Sequence, residues 1–284
     1  MFFGAGSAGV GVATMLRDYL VHCGLTEDEA TKTFYLVDSK GLVAHNRGDK
    51  LPAHKIALAR TDENTPRLKT LNEVIDWVKP TALLGLSTTG GAFSETIVKK
   101  MATFNKSPII FRISNFKKLK TNDLALSNPS EKSECIFEDA LTWTDGAVLF
   151  ASGSPFPATT YKGKTYTPGQ GNNMYIFPGL GLGAILCEAT RVTDGMILIA
   201  SESLANCVTE EEFSRGLLYP DVSRIRSVSL HLARDVIRAA QRDGVDGKKE
   251  LRNLSDSELD AYIKSETYNP EDLKHSLEKE YAKL

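Results

Sequence analysis

Net charge is almost absent from this 284-residue chain, whose 34 lysines and arginines face 36 aspartates and glutamates for a formal charge of -2. Such a balance carries no electrostatic footprint for nucleic acid. No run of about 18 apolar residues occurs, so a membrane span is not expected. Only four cysteines are present, Cys23, Cys135, Cys187 and Cys207, and none forms a CxxC pair. Neither a zinc site nor a disulfide framework follows from that spacing, and the thiols read as buried groups of a reducing compartment. The histidines, His22, His45, His54, His231 and His275, show no paired metal-ligand spacing either. The first residues lack the basic, apolar and cleavage regions of a signal peptide, which points to the mitochondrial matrix or the cytoplasm and away from secretion. Internal repeats and low-complexity segments are also missing.

What is present begins at once. Gly4, Gly6 and Gly9 stand in GxGxxG spacing, a pattern in which the first glycine permits the turn out of a strand, the second admits a pyrophosphate and the third lets a helix pack closely. The strand feeding such a turn is expected to be buried and about five residues long, yet only Met1, Phe2 and Phe3 precede it. Apolar residues at helical spacing over 10–19 predict a helix, with a short continuation over 27–30 capped by Thr26. An apolar run over 33–38 then ends in Asp38. That acid stands where a dinucleotide fold places the carboxylate for the adenosine ribose. Ser39, Lys40 and Lys55 could instead receive a 2′-phosphate, so NAD and NADP both stay open.

Farther along, helices are expected over 71–78 and 93–101, and strands over 81–86, 108–111 and 147–151. This alternation is the signature of a parallel sheet with helical crossovers. The expected fold class is therefore α/β, a Rossmann-like doubly wound, mainly parallel sheet flanked by helices, with a helical C-terminal extension. Small polar or glycine-rich stretches at 87–91, 127–129 and 152–155 follow the strands and should line one crevice at their carboxyl ends. Residues 161–173 read as a loop, and 179–189, 193–205 and 223–241 as helices. The domain expectation is a nucleotide-binding body over 1–243 and a charged helical tail over 244–284, lying at the periphery. Residues 112–124 look inserted, because their lysines would not enter a central strand without penalty.

Asn128, Asn172 and Asn173 can each direct a carboxamide into the crevice, where it would hydrogen-bond a carboxylate or a hydroxyl. On spacing alone, local side-chain turns are the commoner fate of such asparagines. A resemblance reverses that preference. Gly4-Ala5-Gly6-Ser7-Ala8-Gly9, Leu36-Val37-Asp38-Ser39-Lys40-Gly41-Leu42, Gly90-Gly91-Ala92-Phe93-Ser94-Glu95, Leu126-Ser127-Asn128-Pro129, Phe150-Ala151-Ser152-Gly153-Ser154-Pro155-Phe156 and Pro168-Gly169-Gln170-Gly171-Asn172-Asn173, followed by Phe177-Pro178-Gly179, together resemble the cofactor-binding half of malic enzyme, in the family's order and over 1 to about 240.

The resemblance implies oxidative decarboxylation of malate to pyruvate and carbon dioxide, reduction of NAD or NADP, and help from magnesium or manganese. Carried over residue by residue, it assigns Gly4, Gly6, Ser7, Ala8 and Gly9 to the pyrophosphate turn, and Asp38 and Ser39 to the adenosine ribose. Leu86, Ser87, Thr88 and Asn128 follow the dinucleotide farther along, and Asn128, Asn172 and Asn173 meet the substrate. Ser7 departs from the acidic residue often found at its position. The family's proton-transferring tyrosine and lysine and its metal carboxylates precede the glycine fingerprint. No catalytic residue and no metal ligand is therefore assigned within 1–284, and turnover by this chain alone is not expected. The alternative is a noncatalytic NAD(P)-binding module. A different Rossmann dehydrogenase is disfavoured, since no His or Lys stands in a catalytic context. Homo-oligomerisation is implied by the resemblance only.

Overall fold

A computed structural model describes residues 1–87, 91–112, 135–153 and 156–268. The chain divides into two compact units, Met1–Asn172 with Val208–Tyr219, and Asn173–Cys207 with Pro220–Leu284.

The first unit is a sheet with helices on both faces. Its elements in order are β1 (Phe2–Phe3), α1 (Ser7–His22), α2 (Glu27–Lys32), β2 (Leu36–Asp38), β3 (Gly41–Leu42), α3 (Ala53–Ile56), α4 (Leu71–Val78), β4 (Ala82–Gly85), α5 (Glu95–Phe104), β5 (Ile109–Arg112), α6 (Phe137–Trp143), β6 (Leu149–Ser152), β7 (Thr159–Tyr161), β8 (Lys164–Tyr166) and β9 (Gly169–Gln170). Seven strands pair in the order β3-β2-β1-β4-β5-β6-β9. All neighbours are parallel except β2 and β3, which form an antiparallel hairpin. This is the Rossmann-like α/β class expected from the sequence.

Strand β1 is brief, yet its backbone is paired on both sides. Phe2 and Gly4 donate to Tyr35 and Val37 carbonyls at 2.8 Å, while Leu84 and Leu86 donate to Met1 and Phe3 at 2.9 and 2.8 Å. The ladder thus runs from Met1 to Gly4, and Phe2 is 1% exposed. Alternation along the strands sorts the apolar residues to two faces. Phe2 and Leu36 pack with Ala13 of α1 and with Val43, Leu58 and Ala59. On the opposite face Val37, Leu83, Ile110 and Phe150 meet Val74 and Ile75 of α4, Val98 and Met101 of α5, and Phe137 and Leu141 of α6. Helix α4 starts in a capping box between Thr70 and Glu73 and ends at Lys79 in the left-handed region, just before Pro80.

Two expectations change here. Residues 161–173 are not simply a loop: β7 and β8 form an antiparallel hairpin, and β9 adds to the main sheet beside β6. The hairpin turns through Lys162 and Gly163 with φ of 48° and 77°, the positive pair that a two-residue type I′ turn demands. Strand β5 also continues through Arg112, which pairs with Gly85 and Ser152. The rest of the expected insertion, 113–124, lies outside the described residues.

The second unit is helical. Helices α7 (Phe177–Leu186), α8 (Asp194–Asn206), α10 (Ile225–Arg242) and α11 (Asp256–Glu266) surround Leu180, Met196, Ala200, Val236, Ile237 and Ala240, while α9 (Glu210–Ser214) belongs to the first unit. Helix α7 lies close against α10, because a Cβ on Gly179 would stand 2.5 Å from Leu232 Cβ and one on Gly183 would stand 2.7 Å from the Ala233 carbonyl oxygen. Over residues 245–263 the chain enters this core and is not peripheral to it. Val245, Leu251, Leu259 and Ile263 are buried in this same core, and each fully buried Leu or Ile is worth about 1.5–3 kcal/mol. Residues 269–284 lie outside the described set. No helix of the described residues is long and apolar enough to cross a membrane.

Candidate dinucleotide site

Strand β1 lies between β2 and β4, and the chain builds outward from it in both directions. Such a switch point opens a crevice beyond the carboxyl ends of the strands. Three glycines shape the exit from β1, each for a different reason. Gly4 has φ +117°, and a Cβ there would lie 2.4 Å from the Leu86 carbonyl carbon and 2.6 Å from the Ser87 nitrogen. The turn is thereby pressed onto the end of β4. Gly9 lies under the same turn, with a Cβ that would fall 1.9 Å from the Gly4 oxygen. Gly6 differs from both.

Gly6 has an ordinary φ of -81° and forms the N-cap of α1. Among the described residues, a Cβ on it would meet no protein atom within 4 Å. Neither backbone strain nor internal packing therefore demands glycine at this position. Among the described residues no side chain caps α1, and no acidic residue lies in its first turn. Gly6, Ser7 and Ala8 are exposed. Amides at an uncapped helix start, with the positive end of the helix dipole behind them, suit a phosphate.

Asp38 closes β2 at the same edge of the sheet, at the start of the tight hairpin to β3. Its carboxylate is heavily engaged. Arg47 reaches Oδ1 through Nη1 at 2.6 Å and Oδ2 through Nη2 at 3.2 Å, and Lys55 Nζ lies 2.7 Å from Oδ2. The Lys40 amide donates to Oδ1 at 2.9 Å. Burial opposes the charge on Asp38, but the hydrogen bonds from Arg47 and Lys55 outweigh it and hold the carboxyl below its ordinary pKa. Asp49 is likewise held low by Arg47 and then Lys40. Cations outnumber carboxylates three to two in this cluster of Lys40, Arg47, Lys55, Asp38 and Asp49. Arg47 and Asp49 are absent from the sequence-level expectations; no periodicity marks them, and only the density of charge over 38–55 hints at a cluster.

The other expected residues divide. Leu86 and Ser87 are half-buried and abut the Gly4 turn, whereas Thr88 and Asn128 lie outside the described residues. Ser39 is exposed in the hairpin turn. Asn172 follows Gly171, whose added Cβ would stand 3.1 Å from the Tyr219 hydroxyl. Asn173 is exposed at the start of a 3-10 turn in the second unit. Among the described residues no group of three or more His, Cys, Asp or Glu could hold a metal ion. The divalent metal implied by resemblance thus has no fitting ligand set there, and no chemical step is assigned to it.

Comparison with known proteins settles the lineage. The family described as malic enzyme, NAD binding domain, matches residues 1–241. The chain belongs to the malic enzyme family. It is 46% identical over 270 residues to the NADP-dependent malic enzyme of Dictyostelium discoideum, covering 95% of this chain and 46% of that one. It is 39% identical over 273 residues to the NAD-dependent mitochondrial malic enzyme of Ascaris suum, covering 39% of that protein. The chain therefore spans less than half the length of these curated relatives. Among solved structures, the malic enzymes of Entamoeba histolytica and Pyrococcus horikoshii superpose with TM-scores of 0.66 and 0.61 at 22% and 20% identity. Each alignment covers 93% of this chain, with 46% and 52% of those chains. At that identity the likeness speaks for the fold.

Proposed function

We propose that residues 4–9, 38–40 and 86–88 seat a dinucleotide, preferentially NADP, and that the chain supplies this seat for oxidative decarboxylation of malate to pyruvate and carbon dioxide. The observation that carries the reading is Gly6. Its missing side chain leaves space that no atom of the described residues fills, at the start of a helix beside the sheet's switch point. A diphosphate there would meet the amides of Ser7 and Ala8 and the positive end of α1. The excess of cations around Asp38 favours a 2′-phosphate over bare ribose hydroxyls, with Lys55 and Ser39 as its holders. When bound, the nicotinamide would accept a hydride from C2 of malate. Asn128, Asn172 and Asn173 are assigned to the substrate through family resemblance, as is association into homo-oligomers.

A second reading is a nucleotide-binding module without turnover, favoured by the lack of a metal-ligating group among the described residues. Two measurements on purified 1–284 decide. Fluorescence titration should show NADPH binding more tightly than NADH; failure to bind either would overturn both readings. Malate-dependent reduction of NADP in the presence of manganese or magnesium is expected to be negligible for this chain alone, and robust turnover would remove the module reading.

A further inference from the structure

Two glycines at the end of β9 rest against a single aromatic ring, that of Tyr219. A Cβ on Gly169 would stand 3.3 Å from Tyr219 Cδ2, and one on Gly171 would stand 3.1 Å from the Tyr219 hydroxyl and 3.4 Å from Cζ. Positions two apart along a strand share one face, so the ring fills volume that two side chains would otherwise take. Phe111 of β5 meets the same ring edge-on, with centroids 6.4 Å apart and planes at 67°. All of these residues belong to the first unit, as does Asn172.

The backbone between the ring and Asn172 forms a tight turn. The Gly171 amide donates to the Ser152 carbonyl at 2.7 Å, carrying the β6–β9 ladder past Gln170. The Asn172 amide then donates back to the Gln170 carbonyl at 3.1 Å, closing a three-residue turn centred on Gly171. Gly171 is thus both the pivot of the turn and the point where the turn rests on Tyr219. We propose that Tyr219 is a positioning residue, whose ring backs Gly169 and Gly171 and fixes the turn from which Asn172 meets the substrate. The inference rests on the substrate reading of Asn172 above.

The physical reason is the freedom of the backbone at this place. Glycine restrains a turn less than any other residue, and β9 is an edge strand, paired with β6 alone among the described residues. A carboxamide recognises a carboxylate or hydroxyl through directional bonds that weaken steeply off-angle. A small shift at its root therefore costs affinity, and a rigid ring behind the turn prevents that shift. Tyr219 has support of its own. Thr209 and Glu212 form a capping box at the start of α9, the Leu217 amide donates to the Glu212 carbonyl at 3.0 Å, and Leu217 is buried. Burial also pushes the Tyr219 phenol up, which keeps the group neutral beside an anionic ligand.

The test follows the Asn172 carboxamide by heteronuclear NMR while L-malate is titrated into the NADP-saturated, isotope-labelled chain. Wild type is compared with Gly171→Ala, Tyr219→Leu, and the double variant Gly171→Ala with Tyr219→Phe; thermal melting and NADPH affinity are the controls. In wild type, malate should shift the Asn172 resonances saturably. Gly171→Ala drives a carbon against the hydroxyl and should weaken malate about tenfold, the loss of one hydrogen bond to a charged group. NADPH affinity should be unaltered. The double variant removes the hydroxyl, leaves the added carbon in ordinary contact with the ring, and should recover malate affinity to within about threefold of wild type. Tyr219→Leu should also lose about tenfold, because no ring remains behind the turn.

Wild-type malate affinity in Gly171→Ala or Tyr219→Leu, or no recovery in the double variant, would overturn the role of Tyr219 and leave the substrate reading intact. A parallel fall in NADPH affinity would mean general disruption of the crevice and would overturn it too. Should Gly171→Ala fail to melt cooperatively, Tyr219→Leu decides by the same criterion. Wild type that binds NADP yet shows no malate-dependent shift at Asn172 would overturn the substrate reading of that residue, and the positioning role with it.

Discussion

Helices α1 and α7 both begin in glycine-rich sequence, Gly4-Ala5-Gly6-Ser7-Ala8-Gly9 in one and Phe177-Pro178-Gly179-Leu180-Gly181-Leu182-Gly183 in the other, and the glycines serve opposite ends. In α7, Gly179 and Gly183 let α10 approach, and a side chain on either would strike Leu232 or the Ala233 carbonyl. Gly181 lies between them on the outward side, within the helix. In α1, Gly9 plays the packing part, but Gly6 stands at the uncapped helix start with open space before it. A strand precedes α1, and a 3-10 turn precedes α7. Glycine spacing becomes a ligand signal when the glycine is required by neither φ nor packing, and when the helix start it occupies faces the end of a sheet.

Substitution separates these uses, and the effects should fall in a definite order. Gly9→Ala should be the most damaging, costing about 3 kcal/mol of stability in urea melts, because the added carbon meets a backbone oxygen that cannot swing away. A loss within about 0.5 kcal/mol would show that the turn is looser than this packing implies. Gly183→Ala should cost about 2 kcal/mol and leave nucleotide affinity unaltered, since the damage is confined to the α7–α10 contact.

The ion-paired Asp246 of the second unit provides a further test. Asp246 is 3% exposed and bonded to Arg252 and Lys249, and its carboxyl is held well below the ordinary range, chiefly by the Arg252 hydrogen bond. A depressed folded-state pKa contributes stability that is present above the unfolded value of about 3.9 and lost as pH falls toward the folded value. Asp246→Asn should therefore lower the melting temperature near pH 7 and make progressively less difference in acid. A constant deficit across that range would mean that packing, rather than charge, is what Asp246 supplies. Gly6→Ala should disturb stability least, by about 0.5 kcal/mol or less as an N-cap change. It should nonetheless weaken NADPH binding by about tenfold, read by fluorescence titration.

Much of the fold was legible because apolar runs and punctuation agree. The runs ending at Asp38 and Leu86, the Pro80 stop and the Gly4 turn all fall where the sheet needs them. Helix α6 escaped notice because its seven residues, with Glu138 and Asp139 in the first turn, are too few to display a helical period. The β7–β8 hairpin carried a readable signal, Lys162-Gly163 between Thr- and Tyr-rich residues, that glycine content disguised as loop. Burial beyond residue 244 was hidden by charge, because Arg252 and Lys249 are tied to a buried carboxylate. At the candidate site, Asp38 could be placed from its strand, but Arg47 could not. One of its two carboxylate partners, Asp49, reaches it only through a reversal at Gly48 that pattern alone does not reveal.

Hydrogen exchange on the 284-residue chain, with and without saturating NADP, tests the contrast between the two glycine-rich helix starts most directly. Slowed exchange is expected at residues 4–9, 36–41 and 84–87, with no change over 177–183. Protection over 177–183, with none at the start of α1, would contradict the assignment of Gly6 and its helix to the nucleotide.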